Sequence, residues 1–366
     1  MLKRPAVRRR RPMRAVHTAA TFHEHPSPRA RLLGTGVRLT VKPLLRLAPV
    51  DERTFRGIRR LAGRVSRPPA PDIRARRREV GGVPGEVMTP RGGPSSGLVM
   101  LYLHGGGFFT GSVDSYRGLL EAMVRATGGT VYAVDYRKLP EHGVAESVQD
   151  AIAAYGAVLD EADDPAKVVV AGDSAGGYLT MKVAELAHRR GLPRPAALIG
   201  FSPLLSLEPD RQDKNVVRVA KVREAVLPIA RVSALRPLWL PEDAVIEGFA
   251  DPLHATGHIA SPTHLVAVED EFLRPEVEAF ALLLDDKGVE VDVHLWRGQV
   301  HAFPILADHL EDAALAVRLA ADFALRHVGE PRTDEVEDAS AETGTLDGEL
   351  ARDPAERGST RIYRQP

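Results

Sequence analysis

Ser174 sits in Gly172-Asp-Ser-Ala-Gly176, a frame of small residues around one hydroxyl. Such a frame lets the chain turn sharply from a strand into a helix, so that the serine Oγ projects from a strained backbone. The N-terminus of the following helix favours negative charge beside that oxygen. This is the pattern of a nucleophile for acyl transfer. A second cluster, His104-Gly-Gly-Gly-Phe108, holds three glycines that can turn tightly and aim their N–H groups at one point. A tetrahedral intermediate needs that, because charge develops on its carbonyl oxygen. The cluster lacks the Lys-Ser/Thr ending of a phosphate loop and the spacing of a dinucleotide fingerprint.

A serine nucleophile requires a base, and the chain offers 13 histidines. His301, in Gly298-Gln-Val-His-Ala-Phe303, lies just past the last expected strand, where a loop at the carboxyl end of the sheet can reach the serine. His294 falls within that strand and points sideways from it, while His309 and His327 belong to the closing helical region. The strand before carries three adjacent carboxylates at its end, Glu269, Asp270 and Glu271, any of which could orient an imidazole.

Those side chains must be held by a scaffold, and its elements show as alternating runs. Short continuous apolar runs predict buried strands at 98–103, 130–135, 167–171, 196–201, 264–269 and 289–296. Helical spacing predicts helices at 145–161, 175–190, 275–287 and 313–327. Strand–helix alternation with apolar strands means an α/β fold, a mostly parallel sheet with helices on both faces. The nucleophile pattern follows one strand directly and the glycine cluster follows another. Residues 31–64 carry apolar residues at roughly helical spacing, broken at Pro43 and Pro49, and the Pro-rich hinge at 67–71 leads into a short polar stretch. Between 201 and 264 the alternation lapses, and residues 216–234 read as helical. That insertion and the N-terminal segment are expected to lie outside the sheet as a lid.

With 44% hydrophobic and 27% charged residues, the chain can bury a large core without staples. It has no cysteine, which excludes disulfides, thiolate catalysis and Cys-ligated metal sites. Lys+Arg and Asp+Glu both number 49, so no net field draws it to nucleic acid or membrane. Nor does any apolar run approach the ~18 residues of a membrane span. Residues 1–14 are basic and 329–366 mostly acidic, and both are expected to be disordered ends. No apolar stretch follows the Arg8–Arg11 run, which argues for a cytoplasmic protein rather than a secreted one. The expected organisation is a basic start (1–14), a lead-in and cap segment (15–80), a catalytic domain (81–328) with a cap insertion at about 204–255, and the tail. A homo-oligomer is compatible with all of this.

The two motifs together resemble the hormone-sensitive-lipase-like branch of the α/β-hydrolase fold, the microbial esterases with an HGGG motif and a GDSAGG elbow. The resemblance runs from about residue 98 to 323. Asp135-Tyr-Arg-Lys-Leu-Pro-Glu-His142 is similar to the family's D-Y-R-L-A-P-E-H, with Lys138 and Leu139 departing; Ser202-Pro203 fits, and Tyr178 stands where the family often has Asn or His. Laid on the family's acid stretch without gaps, Glu269, Leu273-Arg274 and Glu276 match, and the acid falls on Glu271. Asp270 takes that role if the turn is shifted by one. Asp251-Pro-Leu253 precedes the strand and reads as the segment leading into it. The resemblance implies hydrolysis of a small-molecule carboxylic ester under a helical cap, with no cofactor and no metal. It implies Ser174 as nucleophile, His301 as base, and the N–H groups of Gly106, Gly107 and Ala175 as the oxyanion hole, with His104 and Gly105 shaping the loop. An amidase or N-deacetylase could use the same residues, whereas a non-catalytic binding member would be expected to lose His301. The apolar and solvated faces of residues 216–240 point to soluble short- to medium-chain esters.

Overall fold

The computed structural model describes residues 20–63, 67–207 and 224–329. Runs rich in Val, Leu and Ile form strands with almost no solvent-facing side chain, as a sheet covered on both faces demands. In chain order the strands are β1 (Thr21–His23), β2 (Ile73–Val80), β3 (Val83–Pro90), β4 (Val99–Leu103), β5 (Thr130–Val134), β6 (Val168–Asp173), β7 (Leu198–Phe201), β8 (Thr263–Val268) and β9 (Val291–Trp296). Among the described residues they form one nine-stranded sheet in the order β1-β9-β8-β7-β6-β4-β5-β3-β2. Pairing is parallel from β1 to β5, and only the β5–β3 and β3–β2 pairings at the far edge are antiparallel.

The helices are α1 (Pro28–Leu47), α2 (Glu52–Ala62), α3 (Arg117–Thr127), α4 (Val144–Glu161), α5 (Ser174–Arg189), α6 (Ile229–Trp239), α7 (Arg274–Asp285) and α8 (Glu311–Gly329). Apolar side chains of α4, α5 and α7 bury one face of the sheet. Those of α3 and α8 bury the other. The mostly parallel, two-faced α/β architecture is thus the one the alternation predicts. Among the described residues no helix is long and apolar enough to cross a membrane.

Three sequence expectations differ from what is observed. The stretch after the 67–71 hinge is a hairpin, β2 and β3, whose outer strand alternates buried ends with exposed arginines because it forms the sheet's edge. Pro43 does not break the first helix. The Ser27 cap at the start of α1, the Lys42 ammonium bonded to the Glu224 carbonyl, and Arg231 bonded to the Arg46 carbonyl hold the turns on either side of it. β1 and β2, within the segment expected outside the sheet, are two of its strands. Residues 1–14, 208–223 and 330–366, on which the expectations of disordered ends and part of the cap insertion fall, lie outside the described residues.

Candidate active site

β6 runs into α5 with no intervening loop, so the turn falls on Ser174 itself, at φ +51°. Non-glycine residues rarely hold that conformation, and the strain is maintained by close packing around the turn. A Cβ on Gly176 would lie 1.9 Å from the Leu103 carbonyl oxygen and 2.5 Å from that of His104. The elbow is therefore pressed against the end of β4, where the glycine loop begins. Within that loop Gly106 has φ +114°, and a Cβ there would meet the Thr110 carbonyl oxygen at 2.4 Å. Only glycine fits the path.

A buried carboxylate joins the two loops. Asp173 Oδ1 accepts the Gly105 N–H at 2.9 Å and the Tyr102 hydroxyl at 3.0 Å, and its Oδ2 accepts the Tyr116 hydroxyl at 2.8 Å. Burial pushes its carboxyl up to about 6 even though these three donors and the nearby His301 favour the charged form. His104, fully buried, turns Nδ1 to the Gly105 carbonyl at 2.7 Å and stacks on Tyr136, whose hydroxyl donates to the His104 carbonyl at 2.7 Å. Burial, helped by the Lys138 charge, holds that imidazole neutral. Lys138 Nζ stands 3.4 Å from His104 Nε2, and burial lowers the ammonium to about 8.

His301 leaves β9 on a short loop and meets Glu271, which follows β8. Nδ1 lies 2.9 Å from Glu271 Oε2, while Glu271 Oε1 accepts the Val268 N–H at 2.9 Å. Glu271, rather than Asp270, is the carboxylate turned to the ring, and it is 2% exposed. Burial by itself would lower the imidazole pKa. The bond and charge of Glu271, with the charges of Glu224 and Asp173, more than offset it and raise the value above the usual range. Nε2 is buried without a hydrogen-bond partner.

Ser174, His301, Gly106, Gly107 and Ala175 line one cavity of about 350 Å³. Leu204, Phe272, Leu273 and Ile305 of the strand–helix core line it too, and the rest of the wall comes from outside that core. α1, α2 and the turn between them supply Leu45, Phe55 and Ile58, and α6 supplies Val232, Leu235 and Trp239. Phe55 stacks on Phe109 at 4.6 Å, and Trp239 Nε1 donates to the Gly107 carbonyl at 2.9 Å, so both cover elements rest on the glycine loop. Arg236 on α6, itself buried, donates to Glu276 of α7 at 3.4 Å. α6 does not divide into the apolar and solvated faces expected of it: Val232 and Trp239 are buried, but so is Arg236, whereas Ala234, Pro237 and Leu238 are exposed. Exposed leucines also stand on α1, at Leu32, Leu39, Leu44 and Leu47.

Sequence reasoning missed Asp173 and Glu224 as members of this arrangement, and missed the bond that Trp239 of the expected cap makes. Asp173 lies inside the nucleophile motif, but its reach to Gly105 depends on how β4 and β6 pair. Trp239 carried the general signal of a buried indole needing an acceptor. Glu224, with its carboxyl raised by burial and one oxygen without a partner, gave no local signal at all.

Residues 100–305 match the model of a family described as having the alpha/beta hydrolase fold. The esterase LipU of Mycobacterium tuberculosis is 32% identical over 232 residues, covering 61% of this chain and 76% of its own. The carboxylesterase/phospholipase LipF of the same organism is 29% identical over 310 residues, 81% of this chain and 82% of its own. The crystal structure of an esterase from the bacterial hormone-sensitive lipase family superposes with a TM-score of 0.72 at 26% identity, covering 83% of this chain and 100% of that one.

Proposed function

The chain belongs to the α/β-hydrolase family, in the branch of the bacterial hormone-sensitive-lipase esterases, and we propose that it is a serine carboxylesterase acting on short- to medium-chain esters. In this reading Ser174 Oγ attacks the ester carbonyl while His301 Nε2 takes its proton. Glu271 keeps the other ring proton on Nδ1 and stabilises the imidazolium. The N–H groups of Gly106, Gly107 and Ala175 hold the oxyanion, a contribution for which loss of one donor typically costs ~10²–10³ in rate. The Nε2 proton then passes to the departing alcohol, leaving an acyl-serine. Water loses a proton to the same nitrogen, attacks the acyl carbon and releases the acid.

One observation carries this reading. His301 has its Nδ1 committed to Glu271 and its Nε2 uncommitted, on the wall of the cavity that Ser174 also lines. The cavity supports the choice of substrate size. At about 350 Å³ it lies near the lower end of ligand pockets, which favours roughly two to eight acyl carbons. The test is a series of aryl esters of rising chain length, with aryl anilides and emulsified triglyceride alongside, on wild type and Ser174→Ala. A kcat/KM that rises and then falls with ester length, lost in Ser174→Ala, is expected. Preference for anilides would make the protein an amidase, and a jump in rate on emulsion would make it an interfacial lipase.

A further inference from the structure

On the sheet face covered by α8, strands β8, β9 and β1 carry a polar group that ester chemistry does not use. The pairings place His264 beside Asp292, His294 two residues further along β9, and Thr21 of β1 beside His294, which puts His23 beside Trp296 on the same face. His264 Nδ1 is 2.9 Å from Asp292 Oδ2. His294 Nε2 is 3.1 Å from Asp292 Oδ1 and 3.2 Å from Oδ2. His23 Nε2 stands 2.9 Å from His294 Nδ1, with its ring stacked on Trp296 at 3.6 Å. His264 is fully buried and His294 nearly so, while the Asp292 side chain is 32% exposed. One donor atom from each of His264, Asp292 and His294 can be chosen so that all lie within 4.8 Å of one another.

From this geometry we propose that His264, Asp292 and His294 form a binding site for one divalent transition-metal ion of the zinc class. Two imidazole nitrogens and one carboxylate oxygen suit zinc, cobalt or nickel rather than magnesium or calcium, which take oxygen ligands. Donors bound at about 2.0–2.2 Å from a tetrahedral ion stand about 3.3–3.6 Å apart. The Asp292 carboxylate lies slightly inside that spacing from both rings, so a small outward turn of this partly exposed side chain opens the centre. His23 then takes the place that outer partners take around metal-bound imidazoles, holding the ring through its second nitrogen. The exposed edge of Asp292 leaves an entry path and a coordination position for water.

Such an ion would fasten β8 to β9 directly and hold β1 through the His23 contact to His294. β1 is the short strand that leads into α1 and so to one wall of the cavity. The Ser27 N–H at the start of α1 donates to Asp312 at 3.0 Å, and Gln299, two residues before His301, donates to the same oxygen at 3.0 Å. The ion's role here is to clamp the edge of the sheet, outside the ester chemistry.

The test uses the full chain, stripped with a chelator, dialysed and titrated with zinc and separately with cobalt. One equivalent is expected to bind saturably at micromolar concentration, raising the melting temperature by several degrees and leaving turnover of a short aryl ester within twofold. Asp292→Asn and His294→Gln should abolish the uptake and the melting shift, whereas His25→Gln, an exposed histidine nearby, should not. X-ray absorption on the zinc-loaded wild type should show two imidazoles around the ion, a readout that stands even if a variant folds poorly. Absence of saturable uptake, uptake undiminished in both site variants, or a shell without imidazole would overturn the site and leave a hydrogen-bonded His–Asp–His row.

Discussion

Replacing Glu271 by Gln changes one atom of a side chain that is 2% exposed, and the structure says which atom matters. Oε1 accepts the Val268 N–H and Oε2 faces His301 Nδ1, both at 2.9 Å. A glutamine can keep the first bond through its carbonyl oxygen, and its amide then presents N–H to Nδ1. Nδ1 must become an acceptor, the ring proton moves to Nε2, and the nitrogen that should receive the Ser174 proton is already protonated. Loss of the orienting carboxylate through the wrong tautomer costs about 10⁴ in kcat, or about 5.5 kcal/mol at 1.36 kcal/mol per decade. The same change removes the bond and charge that raise the His301 pKa against burial. In wild type the base is neutral only above its raised pKa, so kcat/KM should climb with pH through a midpoint above 6.5. In Glu271→Gln the residual activity should persist to lower pH. The assay is kcat/KM for a short p-nitrophenyl ester between pH 5 and 9, with melting curves to show that both proteins are folded. Asp270→Asn is the control and should lose less than tenfold. A large loss in Asp270→Asn with a mild one in Glu271→Gln would refute the reasoning.

Gly176→Ala should abolish activity and lower the melting temperature, since its Cβ would overlap the Leu103 carbonyl at 1.9 Å; Gly156→Ala, with nothing within 4 Å in the middle of α4, should stabilise by up to about 1 kcal/mol. Trp239→Phe removes the indole donor to Gly107 and should lower kcat/KM by roughly 2- to 10-fold, the worth of one hydrogen bond; an unchanged value would show that α6 does not steady the loop. Asp173 titrates at about 6 in the folded protein and near 3.8 unfolded, so between those values the native state holds the extra proton and stability falls as pH rises. Denaturant melts should therefore show wild type losing up to about 3 kcal/mol relative to Asp173→Asn between pH 4 and 6.5, and a gain over that range would contradict the burial argument.

What could be read from the sequence follows the physics of each element. β4, β6 and β8 are wrapped on both faces, so their apolar runs are continuous and their observed bounds fall within two residues of those expected. β2 escaped because an edge strand needs little apolar surface; its sequence IRARRREV looks like a linker until the partner strand is known. The Gly81-Gly82 pair between β2 and β3, both at positive φ, was the available hairpin signal. α3 carries a plain apolar stripe at Leu119, Leu120, Met123 and Val124, a helical signal legible in the sequence between the glycine loop and β5. At the site, Ser174, the glycine loop and His301 announce themselves by local spacing, because each must turn the chain or leave a strand at a set place. Glu271 against Asp270 is a matter of one residue in a turn, which spacing alone leaves open. The Asp173 clamp and the Trp239 bond belong to pairs 68 and 132 residues apart, formed only once the sheet has aligned them.

Ser174 is expected to carry the acyl group. Incubation of the protein with a p-nitrophenyl phosphonate ester, followed by intact-mass and peptide mass spectrometry, reports this directly. One phosphonyl group per chain is expected, located on Ser174, with stoichiometric release of p-nitrophenolate and complete loss of esterase activity; Ser174→Ala should take up no label. Labelling at another residue with equal loss of activity, or full activity in a chain labelled at Ser174, would contradict the account.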